Sequence, residues 1–368
     1  MVTPCYYPVK GGTESIVRNL SINLNAIGVQ TDVMTFNVNQ NRKPSWRGKT
    51  ENIDGITVYR IPALEWVPIK HSNRITSGIN FIPGRFLNIL ERYDVIHFHE
   101  FEFSFPFFSL PLIKPKILHL HGIEYEFLKR HHMSRFLLKH VADIYISISR
   151  QMKNDLIKLK IPEKKIAYLP NGVDTDFFKP SGQKEDKLLL FVGRISPSKG
   201  VHVLIKSLEY VEDNVRLVII GPPDWNLRYY RDVLELINKE NRKGKHEIRY
   251  LGAMEQTELV KWYQKATIFI LPSFVEGFPV SILEALSCET PVIATPIGGI
   301  PEAIRDYETG ILFPPGNCFK LAKAIHYMLK NADVRLKIAQ AGRKHVIQNY
   351  SLKFIVKKLQ KIYEHLTG

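Results

Sequence analysis

The sequence predicts an α/β protein built from two mainly parallel sheets, each covered by helices on both faces. Three observations carry this. Short apolar runs alternate with amphipathic helical patterns along the whole chain, the second half repeats the pattern of the first, and 368 residues suit two domains. At the start, Met1-Val2-Thr3-Pro4 reads as the end of a strand whose beginning is missing, so the expectation is a chain that starts late and a short first strand. Gly11 and Gly12 follow in a turn that opens a helix with Thr13, Ile16, Val17, Leu20, Leu24 and Ile27 at helical spacing. Two adjacent glycines permit positive φ and let a ligand approach the backbone. Strand patterns then run over 31–36, 56–62, 94–99, 116–120 and 143–147. The segment Tyr168 to Pro180 leads to the second half, where strands are expected over 188–193, 216–221, 247–252, 268–271 and 291–294. A last helix from about Ser351 presents Phe354 or Ile355, Leu359, Ile362 and Leu366 on one apolar side. The domains read 1–176 and 177–350, with 351–368 as a closing helix.

Composition excludes several classes. Hydrophobic content of 45% and charged content of 24% are those of an ordinary globular core. Cys5, Cys288 and Cys318 are far apart, odd in number and outside any CxxC or Cys/His pattern, so neither a disulfide framework nor a cysteine zinc site is implied. No basic segment with an apolar signal core opens the chain, and no apolar run approaches the roughly 20 residues of a membrane span. The expectation is a cytoplasmic protein. Net charge is +15, but the part before Pro180 holds 24 basic and 16 acidic residues (+8) and the rest 27 and 20 (+7). That even spread argues against a polybasic arm, and no nucleic-acid partner is expected. Two local basic patches, Lys129 to Lys139 and Lys353, Lys357, Lys358 and Lys361, read first as solvated faces. A peripheral contact with the inner face of a membrane is the second reading.

The chemistry is concentrated from Leu271 to Glu302. Glu276 stands in a turn, followed by Gly277, Phe278 and Pro279 and then by a helical run ending near Ala285. Pro279 suits the first turn of a helix, and the backbone N–H groups of Val280, Ser281 and Ile282 then face out of the helix end. With the helix dipole, that end is a seat for an anion such as a diphosphate. Glu284 lies eight residues after Glu276, too far to stack on it, so the two carboxylates address different parts of one extended ligand. Carboxylates accept hydrogen bonds from vicinal hydroxyls, and two sugar readers flanking a phosphate seat describe a nucleotide-sugar. Upstream, Arg194 and Lys199 flank a Pro-Ser turn at the carboxyl end of a strand, placed to neutralise phosphate oxygens. Neither a Walker loop nor the dinucleotide Gly-x-Gly-x-x-Gly is present.

Glu-x7-Glu with Gly-Phe-Pro between, preceded by Leu-Pro-Ser and followed by Thr-Pro-Val-Ile-Ala-Thr and Gly-Gly-Ile-Pro-Glu, closely resembles the retaining glycosyltransferases of family 4. The resemblance covers nearly the whole chain. It implies the GT-B fold, in which two Rossmann-like, doubly wound domains face a cleft and the C-terminal helix crosses back to the first domain. It further implies that Glu276 contacts the donor sugar, Glu284 the ribose, and the Phe278 to Ile282 backbone the diphosphate. Arg194 and Lys199 would hold that diphosphate. Gly11 and Gly12 would lie over the donor phosphates, and His121, in Leu120-His121-Gly122, close to the transferred sugar. The implied reaction is hexosyl transfer from a nucleotide-diphosphate sugar, UDP- or GDP-linked, to a lipid or glycan acceptor by same-face substitution without a cofactor.

His97, His99, His119 and His121 lie near the ends of two strands, and packing is favoured over metal because His97 and His99 have no evident acidic third ligand. Phe101, Phe103, Phe105 and Phe107 alternate, as a strand burying one face or as an acceptor-lipid wall. Glu124 is a further cleft candidate. Asp174 and Asp176 form an Asp-x-Asp, a metal motif in glycosyltransferases of the other large fold, but here read as turn chemistry. Gly221-Pro222-Pro223-Asp224 departs from the family, which more often has a further glycine before a proline. Alternatives to transfer are a GT-B sugar-nucleotide epimerase and a non-catalytic basic module for nucleic acid or membrane.

Overall fold

The computed structural model describes residues 1–9, 11–39, 43, 45, 47–62, 84–101, 112–122, 125–182, 184–224 and 226–368. Phe103, Phe105, Phe107 and Glu124 lie outside the described residues. The chain divides into two compact units, Met1–Asn171 with Leu352–Gly368, and Gly172–Ser351. Residues 172–176 go with the second unit because the Val173 N–H donates to the Tyr350 carbonyl at 2.9 Å and Val173 bridges Ser351.

The first unit is built on β1 (Val2–Thr3), β2 (Val33–Phe36), β3 (Lys49–Ile53), β4 (Ile56–Ile61), β5 (Ile96–His99), β6 (Lys116–Leu120), β7 (Ile144–Ser147) and β8 (Ile166–Tyr168). Their order in the sheet is β3-β4-β2-β1-β5-β6-β7-β8. All neighbours are parallel except β3 and β4. That antiparallel hairpin turns through Asp54 and Gly55, at φ 55° and 81°, the paired positive angles of a tight hairpin. The chain runs outward in both directions from β1 and β5, so the order reverses between them. Open sheets bind ligands beyond the carboxyl ends of the strands at such a point.

One face of this sheet is covered by the helices Gly12–Ala26 and Leu352–Thr367. Leu20 and Leu24 of the first, Leu352, Ile355, Val356 and Leu359 of the second, and Ile117, Ile146 and Leu169 from the sheet side form one buried cluster. Ile355, not Phe354, takes the core position: Ile355 is 1% exposed and Phe354 37%. Spacing allows either, and the pitch of the helix against Leu359 selects between them.

The second unit has β9 (Leu188–Val192), β10 (Arg216–Ile220), β11 (Glu247–Tyr250), β12 (Ile268–Leu271), β13 (Val292–Ala294) and β14 (Ile311–Leu312). All are parallel, ordered β11-β10-β9-β12-β13-β14. This is the doubly wound dinucleotide-fold order, with its switch point between β9 and β12. Every residue of β9 and β12 is buried, as a sheet covered on both faces requires. Among the described residues no helix is long and apolar enough to cross a membrane.

Candidate functional site

The loops after β9 and β12 emerge side by side at the second switch point, and they carry the residues singled out by sequence. After β9 the chain passes Arg194 and a short 3-10 turn, Pro197–Lys199, before the helix Val201–Ser207. After β12 it passes Ser273 and Glu276 before the helix Val280–Ser287. The Phe274 N–H donates to the Ser198 carbonyl at 2.7 Å, lacing the loops together. Gly200 makes that approach possible: it sits at φ +67°, and a Cβ there would meet the Pro272 carbonyl oxygen at 2.1 Å.

Glu276 is the centre of this loop pair. Its Oε1 accepts from Lys199 Nζ at 2.5 Å and from the Ser273 hydroxyl at 2.8 Å. The Glu276 side chain is 5% exposed and that of Lys199 27%, so a nearly buried carboxylate is paired with a cation that still reaches solvent. The half-buried Arg194 guanidinium makes no hydrogen bond or ion pair among the described residues, which leaves a second cation at the end of the same strand. The turn is held from behind by the Gly298-Gly299 segment. The Gly299 N–H donates to the Gly277 carbonyl at 2.7 Å. Gly298 lies at φ +60°, where a Cβ would meet the Glu276 carbonyl oxygen at 2.0 Å. Phe278, 3% exposed, locks the turn into the core against Tyr350.

Pro279 is not in the first helical turn as expected but one residue earlier. At φ −74° and ψ 119° it is the extended cap, and the helix begins at Val280. The correction leaves Val280, Ser281 and Ile282 as the first three helical residues, whose N–H groups point out of the helix end at the carboxyl edge of the sheet. Further along that helix, Glu284 is 7% exposed and its Oε2 accepts from the buried Tyr263 hydroxyl at 2.8 Å. Burial raises its carboxyl to about 7, while the Tyr263 hydrogen bond pulls the other way. Tyr263 lies on another helix, Gln256–Lys265, and nothing in the local sequence marks it as a partner.

Near the next strand, Gly221 turns back on β9: the Ile195 N–H donates to the Pro222 carbonyl at 2.9 Å, so the Pro222-Pro223 departure is built into the wall beside Arg194. Asp174 Oδ1 accepts from the N–H groups of Asp176 and Phe177, both at 3.0 Å. This is the hydrogen-bond pattern of an Asx turn and occupies the carboxylate.

In the first unit, Gly11 caps the helix Gly12–Ala26 at φ −173°, and neither glycine adopts the positive φ their pairing suggested. What Gly12 offers is room, since a Cβ there would meet nothing within 4 Å. Thr13 Oγ1 donates to Glu100 Oε1 at 3.0 Å, joining this helix start to the end of β5 across the first switch point. Glu100 is held at φ 74°, a conformation non-glycine residues seldom adopt and one that concentrates at functional sites. His121, half-buried beyond β6, pairs through Nε2 with His99 Nδ1 at 2.9 Å. Thr13, Glu100 and Tyr263 were given no role from sequence, because each acts on a residue distant along the chain, and Ser273 and Gly298-Gly299 were read only as parts of the flanking motifs.

The profile of the family described as Glycosyl transferases group 1 matches residues 173–345, and that of Glycosyltransferase Family 4 matches residues 10–177. An uncharacterized glycosyltransferase of Methanocaldococcus jannaschii is 28% identical, over 96% of this chain and 92% of its own length. The D-inositol 3-phosphate glycosyltransferase of Corynebacterium diphtheriae is 24% identical over 96% of this chain and 89% of its own. Among solved structures, sucrose-phosphate synthase from Thermosynechococcus elongatus superposes with a TM-score of 0.80 at 20% identity, covering 99% of this chain and 98% of that one. HepE of Anabaena, in complex with UDP-glucose, gives 0.77 at 17% identity with 99% of both chains covered. At those identities the structures establish the fold, and the two profiles, running together from residue 10 to residue 345, establish the rest: the chain belongs to the group 1, family 4 glycosyltransferases and has their GT-B fold.

Proposed function

We propose that this glycosyltransferase is a retaining, metal-independent hexosyltransferase that uses a UDP- or GDP-sugar and delivers the sugar to a lipid-linked or glycan acceptor. The observation that carries the reading is the Lys199–Glu276 pair beside Arg194 and the N-terminus of helix Val280–Ser287. A donor diphosphate has its natural seat on Arg194, Lys199 and the N–H groups of Val280, Ser281 and Ile282. Lys199 then shifts its charge toward phosphate, and Glu276 is free to accept from the sugar hydroxyls, oriented by Ser273. Glu284 accepts from the ribose hydroxyls. For Gly11 and Gly12 a role toward the donor phosphates, and for His121 a role toward the transferred sugar, follow from the family membership.

The bond from the anomeric carbon to the β-phosphate oxygen breaks while the acceptor oxygen bonds to that carbon on the same face. The departing diphosphate takes the acceptor proton, and the two cations and the helix end stabilise its growing charge. Glu276 orients the sugar and does not attack it. UDP is favoured as the base-bearing half because HepE, a protein of the same fold, holds UDP-glucose.

The test is a thermal-shift panel of UDP, GDP, ADP, CDP and dTDP, with and without Mg2+ or Mn2+. One nucleotide, UDP or GDP, is expected to raise the melting temperature equally in both conditions. Lys199→Ala should weaken its binding roughly 10–100-fold, the loss of one charge-assisted contact. Absence of any shift, or a shift only with the divalent ion, defeats the reading.

A lipid acceptor and a peripheral membrane contact draw support from helix His132–His140. Met133 and Phe136 are 71% and 58% exposed, with Lys129, Arg130, Arg135 and Lys139 around them. Vesicles containing anionic lipid should retain the protein in a salt-sensitive way, and Phe136→Asp should release it. Equal binding to neutral vesicles, or none, removes this support.

A further inference from the structure

Four imidazoles are gathered on one face of the first sheet, at the carboxyl ends of β5 and β6. His97 and His99 alternate along β5, and the parallel register sets His119 directly beside His99. The rings form a compact array: His97 and His99 have centroids 4.3 Å apart, His99 and His119 5.0 Å, and His119 and His121 4.5 Å. His97, His99 and His119 are each 2% exposed or less.

Their hydrogen bonding is incomplete in a patterned way. His97 uses Nδ1 on the Tyr363 hydroxyl at 2.6 Å, and His99 uses Nδ1 on His121 Nε2 at 2.9 Å. The remaining nitrogens, His97 Nε2, His99 Nε2 and both nitrogens of His119, are buried without a partner. Buried polar atoms are almost always satisfied, so a cluster of orphans on adjoining rings calls for an occupant.

We propose that His97 Nε2, His99 Nε2 and one nitrogen of His119 bind a single divalent transition-metal ion of the zinc class. One ligand atom from each residue already lies within 4.8 Å of the others. Tetrahedral donors at zinc–nitrogen distances stand about 3.4 Å apart, so small ring rotations close the set. The Nδ1 contacts supply what such ligands ordinarily have behind them. With Nε2 on the metal, His97 Nδ1–H donates to the Tyr363 oxygen and His99 Nδ1–H to His121 Nε2, which fixes both tautomers. An all-imidazole set selects Zn2+, Co2+, Ni2+ or Cu2+ over Mg2+, Ca2+ and Mn2+. The ion ties β5 to β6 and, through Tyr363, to helix Leu352–Thr367. It is separate from the donor diphosphate and takes no part in the transfer step.

The experiment uses the full chain, stripped of metal, reloaded with Zn2+ or Co2+ and freed of excess by gel filtration. Elemental analysis should find one ion per chain. The Co2+ form should show the visible absorption of a tetrahedral site, and Zn2+ should raise the melting temperature by roughly 5–10 °C. His119→Leu should lose the ion, the absorption and the shift, yet melt without metal at or above the stripped wild type, because two orphan nitrogens are gone. His131→Ala, on an exposed histidine, should keep all three. A wild type that retains no Co2+ and shows no absorption overturns the proposal whatever the variants do, and so does retention of ion and absorption by His119→Leu. None of these readouts depends on sugar transfer.

Discussion

Glu276→Ala is expected to lower kcat for sugar transfer by roughly 10²–10³-fold while affinity for the free nucleotide diphosphate holds or rises. The asymmetry follows from the pair in which Glu276 sits. Its carboxylate is nearly buried and accepts from both Lys199 and Ser273. Removing it takes away the group proposed to orient the sugar hydroxyls. It also frees the Lys199 ammonium, which at 27% exposure can turn toward a diphosphate instead of being left as a buried unpaired charge. Steady-state kinetics give kcat, and titration calorimetry with UDP and GDP gives the affinity. A variant that turns over normally places the sugar elsewhere, and one that loses nucleotide affinity in step with kcat makes Glu276 part of the phosphate seat.

Glu284→Gln should stabilise the protein above pH 7 and weaken donor binding. The folded carboxyl is raised to about 7 from an ordinary value of 4.5. A raised carboxyl binds more protons folded than unfolded between those values, so its contribution is fully present below about pH 4.5 and is lost as pH rises through 7. The loss amounts to roughly 3 kcal/mol, since each pKa unit is about 1.4 kcal/mol. Glutamine has no charge to bury and can still accept from Tyr263. The variant should therefore match the wild type near pH 5 and melt several degrees higher at pH 8. Binding runs the other way. Ribose hydroxyls donate to the ionised form, so wild-type affinity should fall about tenfold per pH unit below 7, whereas the variant binds weakly at every pH. Melting curves and calorimetry at pH 5, 6, 7 and 8 check both arms. A stability difference that does not change with pH would mean that the carboxyl is not raised.

Much of the fold was legible because its signals are local. Strand β6 was expected over 116–120 and is Lys116–Leu120, and β12 over 268–271 and is Ile268–Leu271. Both are short apolar runs between turn residues. Strands β3, β8 and β14 were missed. Lys49–Ile53 is half-exposed and polar, Ile166–Tyr168 has three residues and Ile311–Leu312 two, too few for a period to register. The glycine pair permits positive φ, yet Gly11 is extended, because sequence reports what glycine permits and not which angle the chain adopts.

By itself, the sequence determined the alternation that makes two parallel sheets, and the Arg194, Lys199, Glu276 and Glu284 pattern at strand ends. Those properties live in residue type and short spacing. Tertiary structure alone decided which of these groups meet. Lys199 reaches Glu276 across 77 residues because β9 and β12 are neighbours at the switch point. Tyr263 settles on Glu284 because two helices pack together, and that burial gives a helix-face glutamate its raised carboxyl. His119 joins His97 and His99 through the β5–β6 register, a third nitrogen ligand that no spacing along one strand could supply. Charge pairing and desolvation depend on distances through space, and the fold sets those distances only once the sheets have formed and the helices have packed on them.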